Sequence, residues 1–591
     1  MNEVTEAILG LLGGLSLFLF GMTVMGDALE KAAGNRLKSI LGKMTASPIL
    51  GFLLGAGVTA IIQSSSATTV MLVGFVNAGL IKLRSAIPVI MGANVGTTIT
   101  AWILSLSGVS GDAWYLEIVK PATFTPVLAI VGVVLFVFLK NPRLKDFGLI
   151  FLGFAALIFG MDMMSEGFKS ASIKSVLGTF FETFASNPLL GLLTGAVVTA
   201  IIQSSSASVG ILQTVALANP SAFTIGMALP IIMGQNIGTC VTAILGSAGA
   251  SKDAKRVAAV HLSFNLIGSS VMLGIFCLLE YALVPGGLAF AALPATPFAI
   301  SIVHTVFNVA ASLMLLPFCR MLESLAMFIV RDGNEEKNER PILDERLLIT
   351  PPFAIEQVKR VTFEMADIAE RSVRNATSLF DSFDKKVFDS VLEDEAKIDV
   401  YEDEIGSYLI KIIDCDISEG DSLEVTKLLH MISDLERLSD HAVNVAHSAK
   451  EMADKKLEFS REAISELNTI TSAVHEILSL SIGSFVNTDL EKAIRVEPLE
   501  ETIDRLQTEI RANHVRRLKN GECTIELGFI LTDMLTDLER VSDHCSNVAG
   551  CVIEITHNSL GMHGYTRSVK NGNETYDKYL RNYSEVYKLS V

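Results

Sequence analysis

Two runs of Gln-Ser-Ser-Ser, Gln63-Ser64-Ser65-Ser66 and Gln203-Ser204-Ser205-Ser206, put four adjacent polar side chains into stretches that carry no charge. No Lys, Arg, Asp or Glu lies between Lys43 and Lys82, or between Glu182 and Lys252. A hydroxyl or amide left unpaired in an apolar medium costs a few kcal/mol. A single Ser in such a place bonds its own helix or a neighbour. Four in succession point all round a helix, so at least one would face lipid unless the helix is interrupted there. An interrupted helix exposes N–H groups at the start of its second half, and these suit an oxyanion together with hydroxyls and a Gln amide. Neither run contains an Arg or Lys, so neutral dipoles alone would hold that anion poorly. Co-bound Na⁺ solves this, because it needs only oxygen ligands. Ser and Thr hydroxyls, the Asn94 and Asn236 side chains and freed carbonyls supply them. The pattern favours cation-coupled anion transport.

The two runs belong to an internal repeat. SPILGFLLGAGVTAIIQSSSATTVML from Ser47 is answered by NPLLGLLTGAVVTAIIQSSSASVGIL from Asn187. Downstream, Pro88-Val-Ile-Met-Gly-Ala-Asn-Val-Gly-Thr97 is answered by Pro230-Ile-Ile-Met-Gly-Gln-Asn-Ile-Gly-Thr239, and upstream Gly21-Met22 by Gly160-Met161. Gly92, Gly96, Gly234 and Gly238 bracket the two asparagines. They either permit a sharp backbone there or allow close helix packing. The copies differ at Thr68/Ser208 and Thr69/Val209, so a perfectly symmetric site is not expected. His261 with Asn265 and His304 with Asn308 share helix faces at i,i+4. Interhelical hydrogen bonding is expected of both pairs, with proton coupling as the alternative. Asp162 and Glu166 read as interfacial.

These elements sit in the first of two unlike halves. Residues 1–330 hold 16 Lys/Arg and 13 Asp/Glu, whereas residues 331–591 hold 31 and 51. The first half is too apolar for an ordinary soluble domain and the second too charged for lipid. A wholly soluble enzyme is excluded, as is a secreted disulfide scaffold, because the seven Cys are scattered without a CxxC pair. With no basic tract, no nucleic-acid partner is expected. The N-terminus is acidic and lacks the positive stretch of a signal peptide, so the first apolar segment is expected to stay in the mature protein. Candidate membrane segments are 7–29, 50–76, 85–107, 122–140, 147–165, 189–218, 223–246, 257–284 and 299–330, in a domain of residues 1–330. Its repeats run from about 5 to 140 and from about 145 to 285. No Walker motif or nucleophile–base constellation appears, and no enzyme is expected.

Residues 331–350 read as a linker. Beyond it the periodicity is helical throughout, with helices expected at about 353–383, 387–415, 421–452, 460–485, 490–518 and 523–556. This half also repeats. Asp434-Leu-Glu-Arg-Leu-Ser-Asp-His441 matches Asp537-Leu-Glu-Arg-Val-Ser-Asp-His544, and Glu395–Asp399 matches Glu500–Asp504. Each Glu-x-x-x-Asp puts both carboxylates on one helix face. Facing pairs repel unless a metal or protons neutralise them, or the face is simply solvated. The tail at 559–591 is polar, rich in Tyr and expected to be loosely ordered.

Residues 5–325, with both Gln-Ser-Ser-Ser runs and both Gly-x-Asn-x-Gly-Thr segments, resemble the type II sodium/phosphate cotransporter family. That resemblance implies an all-α polytopic transporter of two inverted repeats with re-entrant helices. Phosphate and Na⁺ would bind between Gln63–Ser66 and Gln203–Ser206, supported by Thr68, Thr69, Ser208, Asn94, Thr97, Asn236 and Thr239. Residues 350–555 resemble PhoU, a two-bundle, six-helix regulator of phosphate transport. It implies divalent or iron-type metal ions at Glu395, Asp399, Glu436, Asp440, Glu500, Asp504, Glu539 and Asp543, with His441 and His544 as further candidates. Together the resemblances imply Na⁺-coupled transport of inorganic phosphate across the inner membrane, with a cytoplasmic C-terminal domain. The expected partners are phosphate and the lipid bilayer, with a second copy of the chain or phosphate-signalling proteins as candidates. A phosphate exporter, a carrier of another oxyanion, a membrane-anchored sensor without flux, and a metal-handling protein acting through the carboxylate clusters are the alternatives.

Overall fold

The computed structural model describes residues 3–41, 47–79, 81–109, 120–170, 187–331, 343–349, 351–415, 417–557 and 574–589, with isolated positions between 173 and 184. The chain divides into two compact units, Met1–Asn334 and Glu335–Val591. Both are helical, and no strand occurs among the described residues.

In the first unit the helices are α1 (Glu3–Leu41), α2 (Pro48–Ile62), α3 (Ser65–Asn77), α4 (Leu83–Ser105), α5 (Pro121–Val133), α6 (Pro142–Lys169), α7 (Pro188–Ile202), α8 (Ser205–Ala218), α9 (Ile225–Gly246), α10 (Lys252–Leu278), α11 (Pro297–Leu315) and α12 (Cys319–Ile329). Among the described residues, seven segments of this unit are long and apolar enough to cross a membrane. Their outward faces carry Leu12, Phe20, Ile130, Phe138 and Val306, all exposed, as a bilayer requires.

Glycine sets the helix pairing. α1 meets α6 where a Cβ on Gly21 would lie 2.4 Å from Leu157 N, and one on Gly160 2.4 Å from Phe18 N. α2 meets α4 with Gly92 against Phe52 O at 1.9 Å from such a Cβ. α7 meets α9 in the same way, with Gly234 against Leu192 O at 1.9 Å. α4 and α9 run unbroken through these glycines and through Pro88 and Pro230. Of the two roles open to the glycines, close packing is the one the structure displays. α10 lies against α9, and α11 stands to α4 as α10 does to α9.

The second unit begins with a short 3₁₀ turn (Glu345–Ile349) and continues as α13 (Pro351–Ser378), α14 (Lys385–Ile413), α15 (Glu419–Lys455), α16 (Arg461–Asn487), α17 (Leu490–Lys519), α18 (Ile525–His557) and α19 (Glu574–Val586). α13–α15 and α16–α18 form two three-helix bundles that meet along α15 and α18. α16 is apolar enough to resemble a membrane span. Its Ile470, Ala473, Val474, Ile477 and Leu478 are instead fully buried inside the second bundle, and Glu466 on the same helix pairs with Arg517 at 2.7 Å. The tail departs from expectation. α19 docks on α17, with Tyr583 Oη 3.1 Å from Arg495 Nε, and Tyr587 donates to Glu476 of α16 at 2.5 Å. The Tyr spacing that composition alone reads as polar is the apolar face of an amphipathic helix. Residues 558–573 lie outside the described set.

Candidate functional site

Both Gln-Ser-Ser-Ser runs interrupt a helix. α2 ends on Gln63 at φ 61°, and α7 ends on Gln203 at φ 59°. This left-handed conformation costs a non-glycine residue roughly 1–2 kcal/mol, so its presence twice at matched positions marks a built feature. The next residue, Ser64 or Ser204, returns to extended backbone. It caps the new helix, its Oγ accepting from Ala67 N at 3.1 Å or Ala207 N at 3.2 Å. A cap of this kind leaves the first two N–H groups, those of Ser65 and Ser66 and of Ser205 and Ser206, without an intrahelical partner. Ser65 and Ser205 are buried.

A hydroxyl clamp closes each break. Thr59 Oγ1 donates to Thr68 Oγ1 at 3.0 Å, and Thr199 Oγ1 to Ser208 Oγ at 2.8 Å, all four being buried. Thr68 and Ser208 were expected to support ligand. Their oxygens also tie the two arms together. Thr59 and Thr199 went unnoticed as functional residues, although both lie in the identical stretch Val-Thr-Ala-Ile-Ile-Gln-Ser-Ser-Ser-Ala. Thr69 donates to Ser65 O at 2.8 Å, Thr97 to Ala93 O at 3.0 Å and Thr239 to Gln235 O at 2.9 Å. Their protons are spent on the backbone, and only their oxygen lone pairs remain for a ligand.

The two breaks differ in the surroundings of their glutamines and serines. Gln63 is buried, accepting from Thr100 Oγ1 at 2.8 Å and donating to Ala60 O, whereas Gln203 is exposed. At the position equivalent to Thr100, Thr242 of α9 instead donates to Ser66 Oγ at 3.2 Å. The first break is thereby joined to the second repeat. Ser204 Oγ lies 4.0 Å from Met22 Sδ of α1.

Asn94 and Asn236 lie on α4 and α9, the helices packed against the arms α2 and α7 that lead into the breaks, and each donates to an asparagine far along the chain. Asn94 Nδ2 reaches Asn265 Oδ1 at 2.7 Å, and Asn236 Nδ2 reaches Asn308 Oδ1 at 2.6 Å. The interhelical bonding expected of the His-x-x-x-Asn pairs is made by their asparagines. The imidazoles take no part. His261 Nδ1 and Nε2 and His304 Nδ1 are buried without a protein partner among the described residues.

In the second unit, Glu500 and Asp504 of α17 and Asp543 of α18 bring carboxylate oxygens within 4.8 Å of one another. Glu539 stands nearby, its carboxyl raised by burial and then by Asp543. In the first bundle, Glu395, Asp399, Glu436 and Asp440 influence one another electrostatically, but among the described residues they do not draw together as closely. Glu436 is pushed up to about 7 by burial, then by Asp440 and Glu402, and burial together with neighbouring carboxylates also raises Glu395 and Asp399. Such crowding fits a multivalent cation. His441 and His544 face aspartates of the opposite bundle. His441 Nδ1 meets Asp537 Oδ1 at 2.9 Å, and His544 Nδ1 meets Asp434 Oδ1 at 2.8 Å. The two rings stack 5.6 Å apart where the bundles join.

Comparison with known proteins agrees with this architecture. A family model described as "Na+/Pi-cotransporter" matches residues 17–166 and 156–279, and one described as "PhoU domain" matches 362–449 and 467–552. The "Putative inorganic phosphate export protein YjbB" of Escherichia coli (strain K12) is 27% identical over 94% of this chain and 99% of its own length. The "Uncharacterized protein YqeW" of Bacillus subtilis is 30% identical over 53% of this chain and 95% of its own. The "Sodium-dependent phosphate transport protein 2A" of Rattus norvegicus is 38% identical over 16% of this chain and 15% of its own. A membrane unit built on paired broken helices, followed by two acidic three-helix bundles, thus belongs to the Na⁺/Pi-cotransporter family and carries a C-terminal PhoU domain.

Proposed function

We propose that this protein carries inorganic phosphate across the inner membrane together with Na⁺, and that its C-terminal unit lies in the cytoplasm and regulates the flux. The observation that carries this reading is the pair of helix breaks at Gln63–Ser66 and Gln203–Ser206. Each presents free N–H groups and hydroxyls inside a chargeless apolar segment. Those donors suit the phosphate oxygens. With no basic side chain in either run, Na⁺ supplies the compensating charge, and oxygen atoms of Ser, Thr and Asn hold it. Alternating access around this fixed pair moves the ions. The acidic groups at Glu395, Asp399, Glu436 and Asp440, and at Glu500, Asp504, Glu539 and Asp543, hold divalent or iron-type cations that set the state of the regulatory unit.

The test is radiolabelled phosphate flux in proteoliposomes, with and without a Na⁺ gradient. Uptake driven by inward Na⁺ and abolished by its replacement with choline is the expected result. Saturable phosphate binding without net flux would make the protein a sensor and refute transport. The name of the Escherichia coli relative favours a second reading, in which net phosphate movement in the cell is outward. Flux that proceeds outward against a Na⁺ gradient would support export and overturn Na⁺-coupled uptake.

A further inference from the structure

The structure reveals a third matched element, on α10 and α11. His261-Leu-Ser-Phe-Asn265-Leu-Ile-Gly-Ser269 aligns with His304-Thr-Val-Phe-Asn308-Val-Ala-Ala-Ser312. Each copy makes the same three bonds. Asn265 Nδ2 donates to His261 O at 3.0 Å, and Asn308 Nδ2 to His304 O at 2.8 Å. Asn94 and Asn236 donate to Asn265 Oδ1 and Asn308 Oδ1, as described above. Ser269 Oγ donates to Met233 O of α9 at 3.1 Å, and Ser312 Oγ to Met91 O of α4 at 3.3 Å. α10 therefore takes its asparagine bond from one repeat and gives its serine bond to the other, and α11 does the reverse.

The bonds have a direction. A backbone carbonyl only accepts, so the amide of Asn265 must turn its N–H toward His261 O and its oxygen toward Asn94. Asn94 must then offer its own N–H to Asn265, and its carbonyl oxygen is turned away from the pair. The same reasoning orients Asn236 through Asn308 and His304. Among the described residues no donor reaches Asn94 Oδ1 or Asn236 Oδ1, and both side chains are 7% exposed. Each repeat thus holds one amide oxygen fixed on the helix that packs against the arm leading into its break. A bare oxygen repels an anion and suits a small hard cation.

We propose that Asn265 and Asn308 are positioning residues for cation coupling: each locks the amide of Asn94 or Asn236 so that its carbonyl oxygen faces a bound Na⁺. This rests on the Na⁺-coupled reading above and adds residues from outside the repeated motifs to it. The test compares the full-length wild type with Asn265→Leu and Asn308→Leu in proteoliposomes. A second readout follows the rise in melting temperature of the purified proteins with Na⁺, in the absence of phosphate. The expected result is a rise of about 10-fold in the half-saturating Na⁺ concentration by both readouts. The phosphate half-saturation measured at saturating Na⁺ should stay within about twofold. Unshifted Na⁺ dependence in folded variants overturns the proposal, as does an equal shift for Na⁺ and phosphate. If the leucine variants fail to fold, Asn265→Ser and Asn308→Ser decide by the same readouts. Failure of these also to fold assigns the asparagines to structure alone. Wild-type flux that ignores Na⁺ would refute the coupled reading. Asparagine-dependent stabilisation by Na⁺ would still uphold the cation site.

Discussion

Ser65 and Ser205 each stand first in a half-helix, with both a hydroxyl and an N–H to offer an anion. A hydrogen bond to a charged partner is worth about 1.5–3 kcal/mol. Ser65→Ala or Ser205→Ala is therefore expected to lower phosphate affinity by roughly 10- to 100-fold, measured as half-saturation of Na⁺-driven uptake. Unchanged uptake in both variants would remove the assigned site. Glu436 provides a second test at this scale. Its carboxyl is raised to about 7 in the folded protein, through burial first and then Asp440 and Glu402. The folded state therefore binds the proton more tightly than the unfolded chain, and stability falls as pH rises from the ordinary carboxylate range through about 7. In chelator, the C-terminal unit should melt about 2–4 °C lower at pH 8 than at pH 5.5. Added Mn²⁺ or Mg²⁺ should restore the stability lost at pH 8, and Glu436→Gln should flatten the difference. A melting temperature in chelator that rises between these pH values would contradict the crowding of carboxylates.

At the scale of elements, the close approach of helices is what sets the arms α2 and α7 against α4 and α9. A Cβ at Gly92 or Gly234 would lie 1.9 Å from a backbone carbonyl, and rigid backbone cannot yield as a side chain does. Gly92→Ala and Gly234→Ala should each cost folded, monodisperse protein in detergent. Gly57→Ala, where nothing lies within 4 Å, should leave it unchanged or slightly improved. Equal yields for all three variants would mean that the helices pair in some other way. The comparison needs no transport assay, so it tests the architecture separately from the function.

For the whole molecule, each unit has its own core. The C-terminal one buries Ile355, Leu428, Leu435, Ile477, Leu506 and Leu538 among helices that belong to it alone. Residues 335–591 expressed alone should therefore give a soluble, helical protein with a cooperative thermal transition by circular dichroism. Aggregation or a transition without cooperativity would show that α16 needs a bilayer or the membrane unit. The clasp of His441 with Asp537 and His544 with Asp434 ties the two bundles by matched bonds. Charge partition along the chain already separated the two units, since no single solvent suits both compositions.

Much of this was legible in the sequence because the signals are local. Four polar residues in a chargeless run cannot sit in an unbroken lipid-facing helix, and the break follows at Gln63 and Gln203. The periodicity of the acidic half places six helices within a few residues of where they lie. The tail was misread. Thirteen residues of polar composition do not stay helical alone, and docking of Tyr576, Tyr583 and Tyr587 on neighbouring helices holds α19 in place. The role of Gly92 and Gly234, the Thr59–Thr68 and Thr199–Ser208 clamps, and the placing of His441 and His544 between bundles depend on which surfaces meet. Asn94 finds its partner 171 residues away and Asn236 finds one 72 residues away. Local spacing shows which face a side chain occupies, but a hydrogen bond across helices also needs the distance and direction that packing supplies. The sequence by itself therefore determined the breaks, the repeat and the division into two units, and tertiary structure decided which polar groups complete the site.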